Sequence, residues 1–195
     1  MKHVLFLGIG LLVLSGCSTV ASVQPIYHHR DLVFLPELLG TWTSPDSSET
    51  AEISRGKGKF YHMVGKKSDG SSEEMYEFGL TKIGKTLLVD IPEAGTGGNE
   101  KESCPKKAET RHFFARIEIV DKDHVRVATP DPKWFSDYLK AHPKAVRHEI
   151  QPSGQNESVT LTGSTRQVRK FLKKHLKHGD AMFAEPDEVI RKADH

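Results

Sequence analysis

The densest chemistry in this sequence is electrostatic. Arg166, Arg169, Lys170, Lys173, Lys174, Lys177 and His178 crowd around Val168, Phe171, Leu172, His175 and Leu176. Apolar residues at that spacing share one helix face and leave the cations on the rest of the surface. Such a face suits anionic headgroups, lipopolysaccharide phosphates or an acidic envelope protein. The plainer reading is the solvated side of a core-packed helix. His112, His148, His175 and His178 are candidates to converge on a metal, and His175 and His178 lie three apart on one helix. Separate solvated or helix-capping histidines are the simpler account. Cys104 precedes Lys106 and Lys107, which favour a thiolate, although an incidental cysteine explains it as well. Gly84-Lys85-Thr86 lacks the upstream glycine of a phosphate loop and precedes a strand instead of a helix. No G-x-S-x-G elbow, H-E-x-x-H pair or structural-zinc spacing occurs. No catalytic residue, metal or cofactor is therefore assigned, and the reading leans away from an enzyme.

A second chemistry sits at the amino terminus. Lys2 is followed by an apolar run over residues 4–14 and then small residues, the three parts of a secretory signal. The run is well short of the ~20 residues a spanning helix needs. Its boundary, Leu14-Ser15-Gly16-Cys17, resembles the bacterial lipobox. That resemblance implies removal of residues 1–16, diacylglycerol on the sulfur of Cys17, and further acylation of the palmitate kind. Each buried methylene contributes ~0.8 kcal/mol, so two or more chains hold a protein on a bilayer. Ser18 after the cysteine implies sorting to the outer membrane, facing the periplasm, in a host with two membranes. Ordinary secretion with cleavage after Ala21 is the competing reading. Nucleic acid is excluded as a partner because the compartment offers none.

These segments need a body to carry them. The 28 Lys and Arg nearly balance 26 Asp and Glu, so a basic patch must be local. With Cys17 acylated, Cys104 has no intramolecular partner, and the core must hold without a disulfide. The apolar and charged content is that of a globular chain. Residues 17–31, without helical or strand periodicity, read as the lipidated cysteine and a flexible tether, and residues 32–195 as a single domain.

Within that domain, Pro36 opens one helical turn that Gly40 stops. Short strands follow at 49–55, 59–64, 74–83 and 85–91, separated by Gly-rich turns. Leu87-Leu88-Val89 is continuous enough to be covered on both faces. A long loop at 92–110 leads to a hairpin, 111–120 with 124–129, in which Phe113, Ala115, Ile117 and Ile119 alternate against His112, Phe114, Arg116 and Glu118. Asp131 and Pro132 start a helix carrying Trp134, Phe135, Tyr138 and Leu139 on one side. Strands at 146–151 and 158–162 precede a second helix, opened by a capping box from Ser164 to Gln167. One or two further helical turns are expected at 186–192.

Gly40-Thr41-Trp42 at the entry to these strands resembles the G-x-W signature of lipocalin-like barrels. More broadly, the runs beginning at Pro36, Leu87, His112, Asp131 and Ser164 are similar to a group of bacterial lipoproteins without assigned function. The fold expected is α+β and β-rich: an antiparallel lipocalin-like partial barrel or curved sheet with two or three C-terminal helices. The function expected is a membrane-anchored, non-enzymatic binding or envelope-interaction module, with Trp42, Phe60, Phe78, Phe113 and Trp134 as wall or core residues around an apolar ligand. The alternative is a small periplasmic enzyme whose His, Asp and Glu residues meet only in the fold.

Overall fold

Alternation of apolar and polar residues drives the central architecture. The computed structural model describes residues 18–45, 47, 49–67, 72–93, 110–154, 156–177 and 181–192. Strands β1 (Val20–Ser22) and β2 (Leu32–Val33) precede a meander of β3 (Gly40–Thr43), β4 (Thr50–Arg55), β5 (Phe60–Lys66), β6 (Ser72–Ile83), β7 (Thr86–Pro92), β8 (His112–Ile119) and β9 (His124–Ala128). Helix α1 (Pro132–Ala141), strands β10 (His148–Ser153) and β11 (Asn156–Leu161), helix α2 (Thr165–His175) and β12 (Asp187–Arg191) follow. Single 3-10 turns occupy His29–Asp31 and Pro36–Leu38, the latter with Pro at its start as expected.

Eight strands close on themselves. β3 to β9 pair antiparallel in order, and β12 inserts between β9 and β3, with Val189 opposite Val125 and Arg191 opposite Trp42. The barrel is lipocalin-like, as expected, but it is closed and not partial. Closure comes from the segment expected to be helical at 186–192. Both sheet edges that flank it would otherwise expose unpaired backbone groups, and one five-residue strand satisfies both. There are thus two α-helices among the described residues, at the lower end of the expected two or three.

The buried inward positions are apolar, from Ala51 and Ile53 through Met63, Phe78, Leu80 and Val89 to Val127 and Val189. Outward positions include exposed Glu52 and Ser54 and the Arg126–Glu188 ion pair. This is the reverse of a membrane-spanning barrel, which is apolar outside. No helix among the described residues is long and apolar enough to cross a membrane.

A second core lies against the outside of the barrel. Ile83, Leu88, Phe114 and Ala128 face outward and pack with Val159 and Leu161 of β11, Phe135 and Leu139 of α1, and Val168, Phe171 and Leu172 of α2. Leu88 and Val89 therefore enter different cores, which accounts for the uninterrupted apolar run. β8 divides one edge between two partners. Its second half pairs with β9, while His112 and Phe113 pair with β1, which runs parallel to β11 and so attaches the β10–β11 hairpin.

This placement revises the tether. Thr19 donates its amide to Ser158 Oγ at 3.1 Å, and its carbonyl accepts from the Val159 amide. Val20, Ala21, Ser22 and Ile26 are all buried. Most of the segment read as flexible at 17–31 is built into the sheet and core. A three-residue strand is too short to show periodicity, and its partners lie far along the chain. Gly79 makes room for β2, which follows this segment, since a Cβ there would come within 2.9 Å of Leu32 Cδ2.

Candidate functional site

Three places bring together residues with functional potential. The first is the barrel interior. Trp42 seals one end: its indole Nε1 donates to Leu38 O at 2.9 Å, and the Arg191 guanidinium lies 4.4 Å over its ring. Arg191 also donates to the carbonyls of Leu39, Glu37 and Lys122, fixing the Pro36–Leu38 turn across the barrel end. Gly40 has φ +127°, and the Arg191 guanidinium occupies the place where a Cβ would project. The Gly-Thr-Trp pattern is thus half of a lock, and Arg191 is the half that the sequence reading missed.

What Trp42 closes is nearly full. Among the described residues, a cavity of about 40 Å³ is lined by side chains that include Trp42, Met63, Phe78, Ile91, Ile117 and Val189. Ligand pockets are typically about 300–1,000 Å³. A water held here would have no polar partners, so the space is a dry packing defect in scale and chemistry.

The five aromatics proposed as ligand wall or core separate accordingly. Trp42 and Phe78 are buried inside the barrel. Phe113 faces inward in register with Ile91 but is half-buried at the barrel end, under the Arg111 guanidinium at 5.7 Å. Phe60 is outside, edge-on to Tyr27 and His29. Trp134 belongs to α1 at the margin of the outer core.

The second place is a buried acid–imidazole pair on the outer wall. Asp90 has no exposure, yet each carboxylate oxygen is engaged: Oδ2 accepts from the Ile26 amide at 2.7 Å and Oδ1 is 2.7 Å from His112 Nδ1. A buried carboxylate needs such partners. Because the carboxylate accepts, Nδ1 carries the hydrogen, and Nε2 is the nitrogen directed to other chemistry. Ser22 stands opposite His112 in the β1–β8 register, but its hydroxyl donates to Gln24 O and accepts from the Gln24 amide. That engagement makes Ser22 a turn-forming residue and gives the pair no activated nucleophile. The Tyr27 hydroxyl is pushed above its ordinary pKa by burial, with Asp90 and Glu77 adding to the effect.

The third place is the surface of α1 and α2. Asp131 caps α1 by accepting from the Lys133 and Trp134 amides, and Ser164 with Gln167 closes the expected capping box on α2. Val168, Phe171 and Leu172 bury the apolar stripe, and Arg166, Lys170, Lys173, Lys174 and Lys177 are exposed. α2 contains no acidic residue, and none of these five makes an ion pair among the described residues. Arg169 differs. It donates to Ile26 O at 2.7 Å, Thr81 Oγ1 and Lys82 O and pairs with Asp31 at 3.2 Å, so it is a strut between α2 and the barrel.

Beside these cations, α1 carries an aromatic ladder at helical spacing. Trp134 and Tyr138 stack with ring centres 5.0 Å apart, Tyr138 and His142 at 4.3 Å, and His175 of α2 meets Trp134 and Tyr138 edge-on.

The histidines expected to approach one another do not form one group. His112 is with Asp90, His148 Nδ1 meets Val146 O, and His175 is in the aromatic ladder. Among the described residues, no group of three or more His, Cys, Asp or Glu could hold a metal ion. Cys17, Cys104, His178 and most of the 92–110 loop lie outside the described residues, whereas Ser18 lies at their start. No family model matches the chain, and no curated protein or solved structure is significantly similar to it.

Proposed function

We propose that this protein is a lipid-anchored envelope lipoprotein, acylated at Cys17 and directed by Ser18 to the outer membrane, where it faces the periplasm as a non-enzymatic interaction module. One contrast carries the reading. The barrel interior retains about 40 Å³, while the α2 surface presents five exposed cations without an acidic partner among the described residues. A filled interior makes the barrel a scaffold, and binding belongs to its outer layer. The partners that fit are anionic lipid, lipopolysaccharide or an acidic envelope protein.

Three measurements test this reading. Mass spectrometry of the mature amino terminus should find an acylated Cys17, and Cys17→Ala should release the protein from membranes. An unmodified start at Ser22 overturns the anchor. Reversing Lys170, Lys173 and Lys174 to Glu should abolish binding to anionic vesicles or envelope extracts, and unchanged binding overturns the interaction surface. Ser18→Asp should shift the protein to the inner-membrane fraction.

The Asp90–His112 pair favours a second reading, a small periplasmic enzyme in which Nε2 accepts a proton from water or a substrate hydroxyl. Hydrolysis of an ester or phosphoester panel by the parent protein, lost in His112→Gln, would establish it. No turnover by the parent protein across that panel would remove it.

A further inference from the structure

The geometry points to a fixed membrane-facing surface, made by α1 and the C-terminal half of α2, that lies on the anionic phospholipid headgroups of the bilayer holding the anchor. This inference rests on the acylation of Cys17 proposed above. It begins with the shortness of the connection. Thr19 is already hydrogen-bonded to Ser158 and Val159, and Val20 is buried. Only Ser18 separates Thr19 from Cys17. Two extended residues span about 7 Å at ~3.3–3.6 Å each, so an acylated Cys17 cannot hold the domain away from the surface. The bilayer must come up to β11.

Beside that exit lies α1. Ser136 and Lys140 both reach Glu157, the neighbour of Ser158 on β11. The other flank of α1 bears Trp134, Tyr138 and His142, against which the last turn of α2 packs through His175. Lys170, Lys173, Lys174 and Lys177 then extend the surface with exposed positive charge. Indole and phenol rings with polar tips settle at headgroup depth, and lysines reach phosphate from the same depth. Because the rings stack on one another, they present edges more than open faces. That favours the headgroup layer over a sugar ring, which needs an aromatic face to lie on.

Depth-resolved fluorescence tests the surface. The chain has two tryptophans, and Trp42 is buried within the barrel, so Trp42→Phe leaves Trp134 as the reporter. The acylated full-length variant is reconstituted into phosphatidylethanolamine–phosphatidylglycerol vesicles with bromine near the headgroup end of the acyl chains. Trp134 emission should be quenched, and reversal of Lys170, Lys173 and Lys174 to Glu should restore it while the protein still floats with the vesicles. Trp134 unquenched on floating vesicles overturns the surface but leaves the anchor standing. An amino terminus without acyl mass, with no flotation, overturns the anchor itself. In the unsubstituted protein, amide exchange should slow in α1 and α2 on vesicles. Equal exchange with and without vesicles also overturns the surface, independently of how Trp42→Phe folds.

Discussion

The two apolar cores share strands and differ in what surrounds them. The inner core is surrounded by the barrel wall and sealed at one end by Arg191 over Trp42. The outer core uses the opposite faces of β6, β7, β8 and β9 and is covered by α1, α2 and the β10–β11 hairpin. Among the described residues, the space left inside the inner core is about 40 Å³, little room for a partner. The outer core is roofed by helices whose far sides meet water, and there the cations and the aromatic ladder collect. In this molecule the barrel supplies rigidity, and its added layer supplies chemistry.

The largest effects should come from deciding whether the cores are energetically separate. Trp42→Ala strikes the inner core and Phe171→Ala the outer one, and each should cost about 3–5 kcal/mol. Because Leu88 and Val89 are adjacent yet belong to different cores, both variants should unfold in a single transition. Denaturant curves of Phe171→Ala in a Trp134→Phe background, where Trp42 alone reports on the barrel, followed by fluorescence and by far-ultraviolet circular dichroism, would test this. Helical signal lost before the Trp signal would show that the outer layer detaches alone and would break the shared-strand argument.

Next in size is the contrast among the α2 cations. Arg169 is largely buried and bonded to two backbone carbonyls, Thr81 and Asp31. Its replacement by Met should cost about 1.5–3 kcal/mol, the scale for hydrogen bonds to a charged group. Lys173→Met, on the exposed face, should stay within about 0.5 kcal/mol. Equal losses in thermal unfolding would mean that the exposed cations also support the fold, which would weaken their assignment to a partner.

Local pattern made much of this legible before any coordinates. The alternation from Phe113 to Ile119, the cap at Asp131 and the box at Ser164 depend on neighbouring residues, and the corresponding elements form within a residue or two of the expected bounds. What escaped depends on distant partners. Asp187–Arg191 holds too few residues to separate a period of two from one of 3.6, and its identity comes from the edges of β9 and β3. Val20–Ser22 is a strand only because β8 and β11 leave it a slot. The role of Arg191 needs Trp42 from the far end of the chain. One signal was present and unread: Asp90 ends a run covered on both faces, and a carboxylate there requires buried partners. Those partners are His112 and the Ile26 amide. In the cationic helix the composition was plain, but the separate role of Arg169 was not, because only packing distinguishes a strut from a surface charge.

A smaller effect bears on the inner cavity. Val127 lines the space of about 40 Å³, and Val127→Ile adds one methylene to it. With room for that group, the variant should gain about 0.8 kcal/mol, the usual value for a buried methylene. A gain in the midpoint of chemical denaturation at unchanged slope would identify a packing defect. A loss would show that the cavity walls are too rigid to accept a new group.

The finest adjustment concerns the seam between α1 and the hairpin. Glu157 of β11 accepts from Lys140 and Ser136, and its carboxyl is held below the usual range first by the Lys140 bond and then by Ser136. A carboxyl depressed in the folded state contributes stability above its unfolded pKa, and that contribution is lost as pH falls through the folded value. Glu157→Gln keeps an acceptor for Ser136 but removes the charge. The variant should therefore be slightly less stable than the parent at neutral pH, and the difference should close in acid. A difference that persists unchanged into acid would assign the effect to packing at the seam. If there were no difference at any pH, the contact with Lys140 would be an exposed pair of little consequence. The outer layer would then be held to the barrel by its apolar core, by the strand pairings through β1 and by Arg169.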